Sequence, residues 1–156
     1  MQSKTVSGAI ATMLFRIIGV VFLVVAIIHF VATPLILRGA FDGNVAPRAE
    51  AIVRASFLLN HLVVGILLMP MGLSTILAAP GIAGNDKLSR RIGWANTLAS
   101  VAMPITVAAV MGREQIVGGG PFTIAVALVT IAPLALLAAM WITRPNGPRR
   151  IASETA

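Results

Sequence analysis

The fold of this chain is decided by two uncharged stretches, residues 17–37, IIGVVFLVVAIIHFVATPLIL, and residues 55–79, ASFLLNHLVVGILLMPMGLSTILAA. Two further stretches, 93–111 and 121–142, also contain no charged residue. The hydrocarbon core of a bilayer, about 30 Å thick, needs about 20 helical residues to cross. Within lipid every backbone amide must be paired inside its own segment, so such stretches form helices. The sequence therefore predicts an all-α integral membrane protein, a bundle of four transmembrane helices.

The composition leaves little room for anything else. The chain has 156 residues, of which 58% are hydrophobic, and a mean hydropathy of +0.95. Its connections are too short to hold a water-soluble domain, so we expect one domain, 1–156, with short tails at 1–16 and 143–156. Cysteine is absent, which excludes disulfides and thiolate metal sites.

Basic residues are unevenly divided between the connections. Eight lie in the segments that share a side with the termini, namely Lys4, Arg16, Lys87, Arg90, Arg91, Arg144, Arg149 and Arg150, and four lie opposite, namely Arg38, Arg48, Arg54 and Arg113. The positive-inside rule then places both termini in the cytoplasm, with the four helices crossing the cell membrane. The net charge of +7 is explained by cationic flanks that face a lipid bilayer, so we expect no nucleic-acid partner.

Short similarities between the two halves suggest an internal repeat. RIIG at 16–19 resembles RRIG at 90–93, and VATP at 31–34 resembles VAMP at 101–104. Two explanations fit these matches. Either the second hairpin is a parallel copy of the first, or apolar segments resemble each other by chance. Between the first two helices, Pro47 suits the first position of a helix, and Glu50 with Arg54 forms a supporting i,i+4 pair.

The only histidines, His29 and His61, lie one in each of the first two stretches. Gly65 and Gly72 follow His61 on one face of its helix, and Thr33 follows His29 by one turn. Arg38 and Arg54 flank the same helices at the outer interface. Two imidazoles with space below them, a hydroxyl to orient a ring, and cations for propionates outline a pocket for haem b held by two histidines.

Three interpretations of the histidines stay open at this point. They are interhelical hydrogen-bond donors, ligands to haem or a metal ion, or contacts to a quinone or a lipid. No carboxylate accompanies them, which argues against a zinc or iron site. Whether the two rings face each other decides between these interpretations.

Catalytic patterns are missing from the sequence. There is no H-E-x-x-H, no G-x-S-x-G, and no acidic residue in any predicted span to couple transport to ions. The leading hypothesis is a non-catalytic accessory or structural subunit that associates with other membrane proteins or with itself. The first alternative is an electron carrier with haem b between His29 and His61, and the second is a facilitative channel for small solutes.

One family resemblance is carried by the first helix. The stretch RIIGVVFLVVAIIHF, with Arg16, Gly19, Phe22 and His29, resembles the opening helix of DoxX-like four-helix membrane proteins, and SRRIG at 89–93 is similar to the same family. The resemblance implies a small bacterial inner-membrane protein that acts beside redox partners, and it transfers no catalytic residue. The long connection after the first helix and the histidine in the second depart from the family pattern.

Overall fold

The structure is a computed structural model that describes residues 2–41, 46–111 and 122–144. Four α-helices make up these ranges, and we number them in chain order. They are α1 (Gln2–Phe41), α2 (Pro47–Ala83), α3 (Lys87–Met111) and α4 (Phe122–Ile142). No β-strand occurs within them, which confirms the all-α prediction.

The first two helices are longer than the uncharged stretches that predict them. α1 has 40 residues and α2 has 37, about 60 and 55 Å at ~1.5 Å per residue. By length and composition, two helical segments of the described ranges are able to cross a membrane, Val6–Gly39 and Ile52–Ala83. A shorter apolar segment, Thr130–Ile142, lies in α4. The expected tail at 1–16 is helical from Gln2 onward.

Local sequence chemistry sets the ends of α2 and the start of α3. Pro47 occupies the start of α2, as predicted, and Arg54 donates to Glu50 at 2.6 Å, which confirms that pair. Beyond α2, the chain turns through Asn85, which has a positive φ of 59°. The carboxylate of Asp86 then accepts the backbone N–H of Ser89 at 2.7 Å, as an N-terminal helix cap does. This hydrogen bond lowers the pKa of Asp86.

The helices form a ring in which each packs against its neighbours in the chain, and α4 closes on α1. Neighbours run antiparallel. Gly8 near the start of α1 lies against Ala83 at the end of α2, and Arg90 near the start of α3 donates to the Thr143 carbonyl just after α4. We call the end of the bundle that holds these four residues the inner end, and the opposite end the outer end.

The contact between α1 and α2 is the most extensive in the bundle, and glycines make it possible. A Cβ added to Gly72 would lie 2.7 Å from the backbone oxygen of Gly19, and one added to Gly19 would lie 2.8 Å from that of Gly72. The two backbones therefore touch directly at this level. Close approach through small residues is typical of helices that pack in lipid, where burying large apolar side chains brings no gain over leaving them in the acyl chains.

Small and hydroxyl-bearing side chains fill much of the space between the helices. Asn96 on α3 donates to Ser74 and Thr75 on α2, each at 2.9 Å. The large apolar side chains that are less than 2% exposed lie toward the inner end, namely Phe15, Ile82, Leu136 and Met140, and Phe22 and Leu68, at 6 and 3%, continue this core outward. Conversely, exposed large apolar side chains occur on every helix, with Val31, Leu77, Ile105 and Leu134 all between 59 and 72% exposed.

The direct backbone contact predicts that a methyl group at Gly72 is poorly tolerated. Because the added Cβ would overlap the Gly19 oxygen and the Leu23 side chain, we expect Gly72→Ala to lower the free energy of unfolding in detergent by about 1–3 kcal/mol. The matched control is Gly39→Ala, where an added Cβ meets nothing within 4 Å. Equal stability of the two variants would contradict the backbone contact.

A stacked histidine pair as the candidate functional site

The structure brings His29 and His61 together face to face. Their ring centroids are 4.6 Å apart and the ring planes differ by 30°. Gly65, one turn beyond His61, creates this proximity, since a Cβ there would lie 3.2 Å from the Cβ of His29 and 3.1 Å from the ring of Phe30. The space beside Gly65, which the sequence suggested could hold a ligand, is thus occupied by α1.

Two phenylalanines extend the pair into a column of rings toward the outer end. Phe57 lies parallel to His61, with centroids 6.4 Å apart and planes differing by 3°. Phe41, the last residue of α1, packs edge-on against Phe57 at 5.5 Å. The column follows the α1–α2 contact, so these four aromatic rings hold the outer halves of the two helices together.

The two imidazoles differ in their hydrogen bonding. The Nδ1 of His29 lies 2.8 Å from the carbonyl oxygen of Val25, and because a carbonyl only accepts, Nδ1 carries the proton and donates. By contrast, the Nε2 of His61 is buried and has no hydrogen-bond partner among the described residues. Leaving such a nitrogen unpaired costs on the order of 1–3 kcal/mol. Among the described residues, His61 is therefore the one whose side chain has a buried polar atom without a hydrogen-bond partner.

The other residues predicted for this site take different roles. Thr33 donates to the backbone carbonyl of His29, so it does not orient the ring. Gly72 packs against Gly19 and Leu23 on α1 and leaves no open space. Arg54 is paired with Glu50, and Arg38 is exposed.

The stacked pair does not fit a haem held between its two rings. To hold a haem between them, both imidazoles would have to present a ring nitrogen to the space between the rings. Here the rings present their faces to each other at 4.6 Å, and α1 fills the space that a macrocycle would need. Within the described ranges, no group of three or more His, Cys, Asp or Glu residues is placed to hold a metal ion.

Sequence reasoning missed the polar side chain that joins helices most directly. Asn60, the amide beside His61, is exposed and joins no other helix in the described part of the chain. Asn96 on α3 has that role, with Ser74 and Thr75 of α2 as acceptors. The sequence signal for this contact is the pair of adjacent hydroxyls at Ser74 and Thr75, because the amide of one asparagine on the neighbouring antiparallel helix can bond to both.

Comparisons with models of known protein families, with curated proteins and with solved structures find no match for the chain. The resemblance to DoxX-like proteins thus stays a prediction, as do the internal repeat and the cytoplasmic position of the termini. Function must be argued from the geometry of the chain itself.

The unpaired nitrogen makes a substitution at His61 informative. If the pair only joins helices, His61→Phe keeps a stacking ring and removes a buried unsatisfied group, so we expect the free energy of unfolding in detergent to stay within ~0.5 kcal/mol or to rise by about 1 kcal/mol. His61→Ala, which removes the ring, should lower it by about 2–4 kcal/mol. A fall of that size for both variants would show that Nε2 binds a partner.

Proposed function

We propose that the chain is a four-span integral membrane protein that acts as a non-catalytic accessory or structural subunit. The observation that carries the membrane assignment is the distribution of side-chain size. Large apolar side chains point outward on all four helices, and glycines and hydroxyl-bearing residues lie between the helices beside a small apolar core around Phe15 and Leu136. Water would disfavour this arrangement, whereas acyl chains favour it, because lipid solvates the large apolar groups and close packing joins the helices.

The inner end of the bundle supports the same assignment. Gly93 lies against Phe15 and Met140, so the next residue on each helix, Arg16, Trp94 and Trp141, lies at one depth. Both tryptophans are exposed, as side chains of an interfacial aromatic belt are. The guanidinium of Arg144 stacks over the Trp141 ring at 4.3 Å, which adds a cation to this belt.

A structural role is supported by how the polar groups between the helices are used. Asn96 bonds across to α2, Thr12 on α1 donates to the Ala79 carbonyl on α2 at 3.2 Å, and Arg90 reaches the end of α4. Each of these bonds joins two helices. One cavity that described residues of all four helices line, beside Phe22 and Ser100, has a volume of about 30 Å³, close to that of one water molecule. Close packing at this level favours a subunit over a channel.

The outer part of the α1–α2 hairpin provides the surface for a partner. Val25 and Met103 line the same cavity, so they lie at one depth. α3 ends at Met111, eight residues beyond Met103. Because α1 runs in the same direction as α3, the residue of α1 at that depth is Thr33, eight residues beyond Val25. From there α1 continues eight residues to Phe41, about 12 Å further. The hairpin thus projects past the described end of α3.

Apolar side chains stay exposed on this projection, with Leu35 and Ile52 at 69 and 70%. Projection past the described end of α3 distinguishes this hairpin from the lipid-facing surface elsewhere, and the ring column of Phe41, Phe57, His61 and His29 joins its two helices, so its apolar surface is suited to another membrane protein or a second copy. We assign the subunit contact to this outer hairpin.

Photo-crosslinking in native membranes tests the assignment. A photoreactive phenylalanine analogue at Leu35 or Ile52 should give one discrete protein adduct, because both side chains face the partner. The same analogue at Leu77, which is 70% exposed on the inner half of α2, should give adducts with lipid.

Lipid adducts at all three positions would contradict the subunit contact while leaving the membrane assignment in place. Adducts that change from one preparation to the next, without a band of constant mass at Leu35 and Ile52, would argue against a defined partner in the same way.

A further inference from the structure

A groove of about 700 Å³ lies at the inner end of the α1–α2 contact. It is lined by Gly8, Ala9, Thr12, Met13, Arg16, Ile17 and Ala83. At the bottom of the groove α1 and α2 are in contact, since a Cβ added to Gly8 would lie 3.3 Å from the Cβ of Ala83. Because these two residues have little or no side chain, the surface above this contact is hollow. Its lining is mostly apolar, with one cation.

That cation, Arg16, is unusually placed. It makes no ion pair or hydrogen bond with another of the described residues. Met13 and Ile17 on either side of it are 55 and 48% exposed, and exposed apolar residues continue back along α1 to Val6, ten residues or about 15 Å toward the inner end. Arg16 is therefore a lone cation in an otherwise apolar stretch of the α1 surface, at the depth of the tryptophan belt, where lipid phosphates lie.

The direction of α1 places the guanidinium over the groove. Side chains of an α-helix lean toward its N-terminus, and the N-terminus of α1 is at the inner end, so Arg16 extends over Thr12 and Met13. The Thr12 hydroxyl already donates to Ala79, and its oxygen is left to accept. The groove thus offers one cation at the depth of Trp94 and Trp141, above an apolar floor.

We infer that this groove binds an anionic phospholipid of the inner leaflet, with its phosphate on Arg16 and its glycerol and upper acyl chain against Met13 and Ile17. Arginine is suited to this because its guanidinium donates two parallel hydrogen bonds to phosphate, and basic pockets between transmembrane helices on the cytoplasmic side recognise such headgroups. This inference rests on the membrane assignment but not on the subunit contact at the outer end.

Native mass spectrometry of the full-length chain in detergent, titrated with phosphatidylglycerol or phosphatidylcholine, tests the site. We expect phosphatidylglycerol to bind about tenfold more tightly, and Arg16→Gln to remove that preference. Arg16→Lys, which keeps the charge, should retain part of it. The matched control is Arg91→Gln, an exposed cation at the same end that does not line the groove, and it should change binding less than twofold.

Two further arms separate a lipid groove from simpler explanations. Ala9→Phe keeps Arg16 but fills the hollow, so it should weaken phosphatidylglycerol binding severalfold. Glycerol 3-phosphate, which has the phosphate without acyl chains, should not compete.

Equal losses for Arg16→Gln and Arg91→Gln would overturn the inference in favour of general charge attraction. Competition by glycerol 3-phosphate would overturn it in favour of a phosphate site. Lipid adducts at Leu77 with no lipid preference would show that this inference fails while the membrane assignment stands.

Discussion

The structure depends on the close approach of α1 to α2. At Gly19 and Gly72 the two backbones touch, and at Gly65 the same approach brings α1 against α2 at the level of the histidines. Each helix can come this near only because the other lacks a side chain there. The extent of this contact explains why the first hairpin forms a long unit on which α3 and α4 pack, and why the inner groove and the outer ring column both lie along it.

The same contact determines what the two histidines can do. An open space beside Gly65 would leave room for a ligand next to His61. When α1 fills that space, the two helices pack directly against each other. Because Gly65 is filled by His29 and Phe30, the imidazoles stack instead of facing each other across a cofactor. The pair then resembles the aromatic contacts of Phe57 and Phe41 that continue it. Asn96 and Thr12 also bond to a neighbouring helix.

Composition predicted that the chain is helical and where its helices are centred, because uncharged runs of about 20 residues leave few alternatives, but it did not predict that α1 and α2 extend to 40 and 37 residues. The start of α2 at Pro47 and the Glu50–Arg54 pair were also predictable, since both depend on local chemistry. The faces through which the helices contact each other could not be predicted from the sequence. Whether Gly65 opens a pocket or admits a neighbour depends on the rotation of α1, and nothing local in the sequence fixes that rotation. Thr33 illustrates the same limit, because its hydroxyl had both a ring and a carbonyl within reach and bonds the carbonyl.

The central claim is that lipid surrounds the short helices α3 and α4 as well as the long hairpin. The chain has no cysteine, so single cysteines can carry a nitroxide without background. In vesicles, labels at Leu98 and Leu134, which are 63 and 59% exposed, should collide with dissolved oxygen and be shielded from a water-soluble nickel chelate, while a label at the buried Ser100 should be shielded from both. Collision of the nickel chelate with Leu98 and Leu134 to the same extent as with a label at Lys87, the exposed first residue of α3, would contradict the claim.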